Sequence, residues 1–235
     1  MQSMVCPEKT IPKCTKVILC DIAGTTTSIE FIKDVLFKFA SDNIQSFLEL
    51  NWNKEEVQHA LKLLSNKSTK LEEAVEMVKE KTNKNEMNEG LKVLQGLLYQ
   101  KGYEKDIRAH VFPDVFPCFQ IWSKKFKIAI YSTGSVESQK LLFANTIEGN
   151  LSEFIDSYFD LLVGSKTDSC SYSHIAKNLN VQPQNILFLT DSIAEVKAAE
   201  KAGCQSFLVV RSASQSKVTD SSLNIISSFD ELKIE

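Results

Sequence analysis

The chain has 235 residues, 43% of them hydrophobic and 24% charged, with a formal net charge of −3. That length holds one ordinary domain plus a smaller one, and the balance is that of a globular protein in water. The charge gives no case for nucleic acid or an anionic membrane surface. No apolar run approaches the ~20 residues a membrane span needs.

Met1 to Lys16 carries Glu8, Lys9, Lys13 and Lys16 without a continuous apolar core, so no signal peptide is read there. The six cysteines (Cys6, Cys14, Cys20, Cys118, Cys170 and Cys204) include no CxxC pair. A zinc site or a disulfide framework is therefore not expected, and the implied compartment is reducing: cytoplasm, with the nucleus also allowed.

The first strand is expected at Val17-Ile-Leu-Cys20, where Cys20 serves as a small buried hydrophobe. From Thr27 to about Asp106 no strand is convincing. Four helical pieces are expected instead: Ile29–Leu50, Lys54–Leu64, Lys70–Lys81 and Glu86–Gln100. Thr27 with Glu30, and Asn53 with Glu56, read as capping boxes, and Asn83–Asn88 reads as an exposed loop. Strands resume at Phe126–Tyr131, weakly at Tyr158–Val163, then at Asn185–Thr190 and Ser206–Val210. Helices between them are expected at Ser135–Phe143, Ser169–Leu179 and Ile193–Lys201. Short runs too apolar for a solvated face are strands buried on both sides, which favours a parallel sheet. The expected fold is α/β: a doubly wound parallel sheet with an inserted helical cap domain. The core is assigned to residues 1–30 and 107–235, and the cap to 31–106.

Ligands of an open parallel sheet bind beyond the carboxyl ends of its strands. There the sequence places Asp21, Ser132-Thr133-Gly-Ser135, Gly164-Ser-Lys166 and Asp191. That set suits phosphoryl transfer, which needs an in-line nucleophile and cations against the phosphate oxygens. Asp21 is the candidate nucleophile, and two carboxylates with a backbone carbonyl suit magnesium. Ser132 and the N–H groups after it would cradle phosphate, and Lys166 would supply positive charge. Each residue alone has a plainer role: Asp21 or Asp191 as turn former, Ser132 or Ser135 as helix cap, Lys166 as solvated loop lysine. Glu195, three residues after Ser192, reads first as a capping box. His59, His110 and His174 show no ligand spacing. The signal is the joint occurrence, in order, at four strand ends.

Asp21 with Gly24-Thr25, then Ser132, Lys166 and Asp191, resembles the haloacid-dehalogenase-type phosphatase superfamily. Asp21–Phe37, Tyr131–Phe143, Phe159–Ala176 and Ile186–Asp191 narrow the resemblance to the enolase-phosphatases of methionine salvage, also called acireductone synthases. The resemblance implies an enzyme with one magnesium ion per subunit, acting as a monomer on 5-methylthio-2,3-diketopentyl phosphate. It would enolise the diketone, then release phosphate through an Asp21 phospho-intermediate. By position, Asp21 is nucleophile and metal ligand, Asp191 and the backbone carbonyl of Ala23 are ligands, and Ser132, Thr133 and Lys166 hold the substrate phosphate. The family's second acid falls on Ala23, and there the sequence departs. Three readings follow: an impaired enzyme, another proton donor, or different chemistry. Phosphonoacetaldehyde hydrolases resemble Asp-x-Ala-Gly-Thr and cleave a carbon–phosphorus bond through a cap lysine. A catalytically inactive scaffold of the same fold is the alternative outside enzymes.

Overall fold

The computed structural model of the protein describes residues 9–65, 70–84, 86, 88–211 and 222–234. Cys6 and Glu8, and Asn85 and Met87 of the expected loop, lie outside the described residues. The chain divides into two compact units: residues 1–28, 111–133 and 151–235, and residues 29–110 and 134–150.

The first unit is built on strands. β1 (Lys9–Thr10) pairs in parallel with β8 (Leu232–Lys233). The main sheet contains β2 (Val17–Cys20), β3 (Lys127–Tyr131), β4 (Ser157–Phe159), β5 (Ile186–Thr190), β6 (Gln205–Val209) and β7 (Ile225–Ile226). Its order is β4-β3-β2-β5-β6-β7, and every pair is parallel. Alternate residues of these strands face opposite sides. Val17, Leu19, Ala129, Tyr131, Ile186 and Phe188 share a core cluster with Tyr172, Ile175, Ala198 and Ala199. Those last four belong to helices α7 (Ser169–Asn178) and α8 (Ile193–Lys201). Ile18 and Cys20, on the other face, are also fully buried, so the sheet is covered on both sides. Burial pushes the Cys20 thiol far up, as suits a packing residue.

The weak strand is shorter than expected. β4 stops at Phe159, and Leu161–Val163 forms a 3₁₀ turn. The Asp160 carboxylate accepts the Leu162 N–H at 2.9 Å, which offers the backbone a turn in place of a ladder. Helix α5 (Val115–Trp122) packs against β3 and was not foreseen. Pro113 and Pro117 hide it, yet a proline in the first turn of a helix loses no intrahelical bond.

The second unit is helical. A π-helical segment, Phe31–Phe37, runs into α1 (Lys38–Asn51) and is followed by α2 (Glu55–Leu64), α3 (Leu71–Asn83) and α4 (Glu89–Lys105). Helix α6 (Val136–Ala144) packs against α4. That contact is why residues 134–150, expected in the core, belong to this unit. Lys54, not Asn53, occupies the N-cap of α2, so the helix begins one residue late for the expected box. Asn88 caps α4 by accepting from Leu91 N, and Ser135 caps α6 by accepting from Ser138 N.

Cys14, Cys20, Cys118, Cys170 and Cys204 are free thiols. No helix among the described residues is long and apolar enough to cross a membrane.

Candidate active site

The strand order reverses across one seam. β3 and β4 lie on one side of β2, and β5, β6 and β7 on the other, so β2 and β5 flank the topological switch point. Cys20 is in register with Ile130 and with Leu189. Asp21 therefore leaves the sheet beside Thr190-Asp191 on one side and Tyr131-Ser132 on the other. The Asp21 N–H still donates to Leu189 O at 2.9 Å, which ties the residue to the end of the ladder.

After Asp21 the chain turns tightly. Ile22 O accepts the N–H groups of Thr25, Thr26 and Thr27 at 3.2, 2.9 and 2.9 Å. Thr26 Oγ1 donates to Asp21 O at 3.0 Å. Gly24 has φ +76°, and a Cβ on it would fall 2.2 Å from Asp191 Oδ2. Only glycine fits there, and the same clash shows that the Asp191 carboxylate lies against this turn.

Lys166 is 5% exposed, so it is not a solvated loop lysine. Its Nζ lies 2.6 Å from Asp21 Oδ1 and 2.8 Å from Glu195 Oε2. Asp21 Oδ1 also accepts the Ile22 N–H at 2.7 Å. The lysine is held from its own backbone: Tyr172 donates to Lys166 O at 2.6 Å, Tyr131 to Gly164 O at 2.9 Å, and Ser171 to Ser165 O at 2.7 Å. Burial pulls the Lys166 ammonium down, but the Asp21 and Glu195 carboxylates outweigh it and hold the pKa above the ordinary lysine value.

Glu195 does not cap its helix. Ser192 at the N-cap of α8 makes no side-chain cap bond, and Glu195 instead takes hydrogen bonds from Thr190 Oγ1 at 2.7 Å and from Lys166. Sequence reading missed this because Ser-x-x-Glu spacing also describes a capping box. The distinguishing signal was Asp191 directly before it, at a strand end. Burial and the Asp21 charge raise the Glu195 carboxyl. Burial, then Asp21 and Glu195, push Asp191 up to about 6.

The structure thus joins Asp21, Lys166 and Glu195 directly and sets Asp191 against the Gly24 turn. Ser132 is buried, with its N–H donating to Phe159 O at 3.1 Å, and Thr133 is exposed. Register puts both at the same edge, but neither hydroxyl bonds the acidic group among the described residues. Ala23 is half-buried in the turn and brings no side-chain acid or base. No three His, Cys, Asp or Glu side chains among the described residues are gathered to hold a metal. A cation here would rest on two carboxylates and a backbone carbonyl. Three carboxylates packed with one buried lysine leave negative charge in a shielded place, and the chemistry of that donor set fits a hard cation.

A family model described as haloacid dehalogenase-like hydrolase matches residues 15–203. The chain is 36% identical to enolase-phosphatase E1 of Caenorhabditis elegans over 92% of its own length and 95% of the relative's. It is 38% identical to enolase-phosphatase E1 of Sulfurihydrogenibium sp., over 93% and 98%. Among solved structures, the UTR4 protein of Saccharomyces cerevisiae is similar at a TM-score of 0.79 and 28% identity, over 92% of this chain and 99% of that one. Strand order and relatives agree: the chain belongs to the enolase-phosphatase E1 family, phosphatases among the haloacid dehalogenase-like hydrolases.

Proposed function

We propose that the protein is the enolase-phosphatase of methionine salvage, converting 5-methylthio-2,3-diketopentyl phosphate to the acireductone and phosphate with Asp21 as nucleophile. The observation that carries this reading is the buried Asp21–Lys166–Glu195 chain at the switch point, with distances of 2.6 and 2.8 Å. Both donors to the Asp21 carboxylate fall on Oδ1, which fixes its rotamer and leaves Oδ2 to attack phosphorus. Lys166 places its charge where the phosphoryl oxygens would lie, and Glu195 orients the lysine. Ser132 and Thr133 would hold the substrate phosphate from the end of β3. Asp21, Asp191 and the Ala23 carbonyl would hold magnesium, which when bound supplies charge against the phosphoryl group. Asp191, lying against Gly24, and the turn that carries position 23 support that assignment.

Ala23 is the feature that sets the rate in this reading. Its backbone carbonyl is retained, but no side chain protonates the leaving oxygen or activates the water that cleaves the aspartyl-phosphate. Phosphate release is therefore slow, and where cleavage of the aspartyl-phosphate is slowed more than its formation the phospho-enzyme accumulates. The helical unit serves as the cap that selects the substrate. The test is an assay of this chain with magnesium on the diketo phosphate, following enolisation and phosphate release separately. Release of both products supports the reading. Turnover of phosphonoacetaldehyde, with borohydride trapping and no action on the diketo phosphate, contradicts it.

A further inference from the structure

A second buried ion pair lies at the same edge of the sheet. Arg211 follows β6 by two residues. Its Nη1 donates to both Asp114 carboxylate oxygens, at 2.9 and 2.8 Å, and reaches Ser227 O at 3.3 Å. The two side chains are only 7% and 9% exposed. Nε and Nη2 of the same guanidinium donate to Thr25 O at 2.9 and 2.7 Å. Its Cζ lies over the Phe112 and Phe229 rings, 4.4 and 4.7 Å from their centroids. Asp114 Oδ2 takes the Phe229 N–H at 2.5 Å, and the Phe112 N–H donates to Thr26 O at 3.0 Å.

Burying an ion pair is costly, and an apolar pair often stabilises as well. What the pair adds is position. A guanidinium is a rigid planar fork that can engage a carboxylate with one edge and a carbonyl with another, and a lysine cannot do both. Here it grips the outside of the turn that Ile22 O closes from within. We propose that Arg211 and Asp114 are positioning residues that fix the Gly24–Thr27 turn, and with it Asp21 and the Ala23 carbonyl, against Asp191. The inference rests on the phosphatase reading for its consequence, though not for its geometry. The two rings hold the guanidinium by cation–π contact, and Asp114 sets which of its edges meets Thr25.

Two measurements on the full chain test it: amide hydrogen exchange, comparing residues 22–27 with 17–20, and magnesium affinity by calorimetry. In Arg211→Lys the turn amides should exchange about tenfold faster while the β2 amides keep their protection, because local opening is separable from global unfolding. Magnesium should bind about 10–100-fold more weakly, the usual cost of losing a group that orients a ligand. Asp114→Asn, which keeps its shape and one acceptor, should move both readings in the same direction by less. Unchanged turn protection in Arg211→Lys overturns the proposal. So does an equal rise at turn and strand in both variants, or wild-type magnesium affinity. If the unsubstituted chain binds no magnesium, that result counts against the metal site, and the exchange comparison alone decides the clamp.

Discussion

Lys166→Met tests the site where its chemistry and its folding energetics meet. Methionine keeps most of the side-chain volume, so the change removes a charge rather than packing. The ammonium it deletes sits 2.6 Å from Asp21 and 2.8 Å from Glu195, with all three side chains no more than 14% exposed. Breaking a buried pair by removing one partner costs about 3–5 kcal/mol, because the other charge stays buried. At about 2–4 °C per kcal/mol for a chain of this size, melting should fall by roughly 6–20 °C at pH 7.5. A lysine that only faced a ligand would cost little stability; burial between two carboxylates is what makes the loss large. The pH dependence has a definite sign. In the unsubstituted protein the Lys166 pKa is raised, so its contribution is complete at neutral pH and fades only as pH climbs through that raised value. In the unsubstituted protein burial raises the carboxyls of Asp191, to about 6, and of Glu195, while Lys166 lowers both; without the ammonium both rise further, so Lys166→Met gains more from protonation on folding than the parent does. The deficit should therefore shrink as pH falls below about 6. Removing the ammonium leaves more negative charge at the site, so magnesium should bind the variant more tightly than the parent and narrow the deficit. Phosphate release should drop at least ~10²-fold, as for loss of one preorganised charge at a transition state. Urea and thermal unfolding with and without magnesium, over pH 5 to 8, give the reading. Wild-type stability at pH 7.5, or a deficit that grows on acidification, would refute the reasoning.

Ala23→Glu should speed phosphate release by ~10²- to 10⁴-fold if a general acid is what position 23 lacks, with the magnesium requirement unchanged. An unchanged or lower rate in a folded, metal-binding variant points to another proton donor. Gly24→Ala forces a Cβ into a left-handed conformation 2.2 Å from Asp191 Oδ2. The backbone alone costs about 1–2 kcal/mol, and Asp191 must also move. Melting a few degrees lower with weakened magnesium binding is expected, and a variant equal to wild type in both would count against the turn geometry. For Glu231, burial raises the carboxyl, but hydrogen bonds from Lys9 and Ser227 outweigh that and bring it to about 2. Its stabilisation is present above the unfolded glutamate value and lost as pH falls toward 2. Glu231→Gln should thus be less stable at pH 7 and converge on wild type near pH 2. Parallel stability curves would sink that assignment.

Strand ends were legible in the sequence because a buried parallel strand needs a short apolar run, and its carboxyl end is where polar residues can do work. That logic pointed to Asp21, Ser132 and Asp191, which do follow strands directly, and to Lys166, which lies beyond the turn after β4. It did not show that Lys166 is buried between two carboxylates, since the partners lie 145 and 29 positions away and only the fold brings them together. Glu195 was visible but ambiguous, because a capping box and a lysine partner use the same spacing. Arg211 and Asp114 gave no local signal: a charge just past an apolar strand and another just before a helix are ordinary until they are seen to pair. The two-residue strands β1, β7 and β8 are too short to show periodicity. Helix α6 reads correctly as a helix, but its neighbour α4 lies across the whole insertion, so its place in the helical unit could not be read from pattern alone.

In the proposed reaction Oδ2 of Asp21 is the atom that takes the phosphoryl group. Mixing the chain with the diketo phosphate and magnesium, quenching within a turnover and reading the intact mass measures this directly. A mass increase of one phosphoryl group, localised to Asp21 by peptide mapping, is the predicted result. The adduct should be abundant in the Ala23 chain, much rarer in Ala23→Glu, and absent in Asp21→Asn. Phosphate release with no adduct in any variant, at a rate that Asp21→Asn leaves intact, would contradict it.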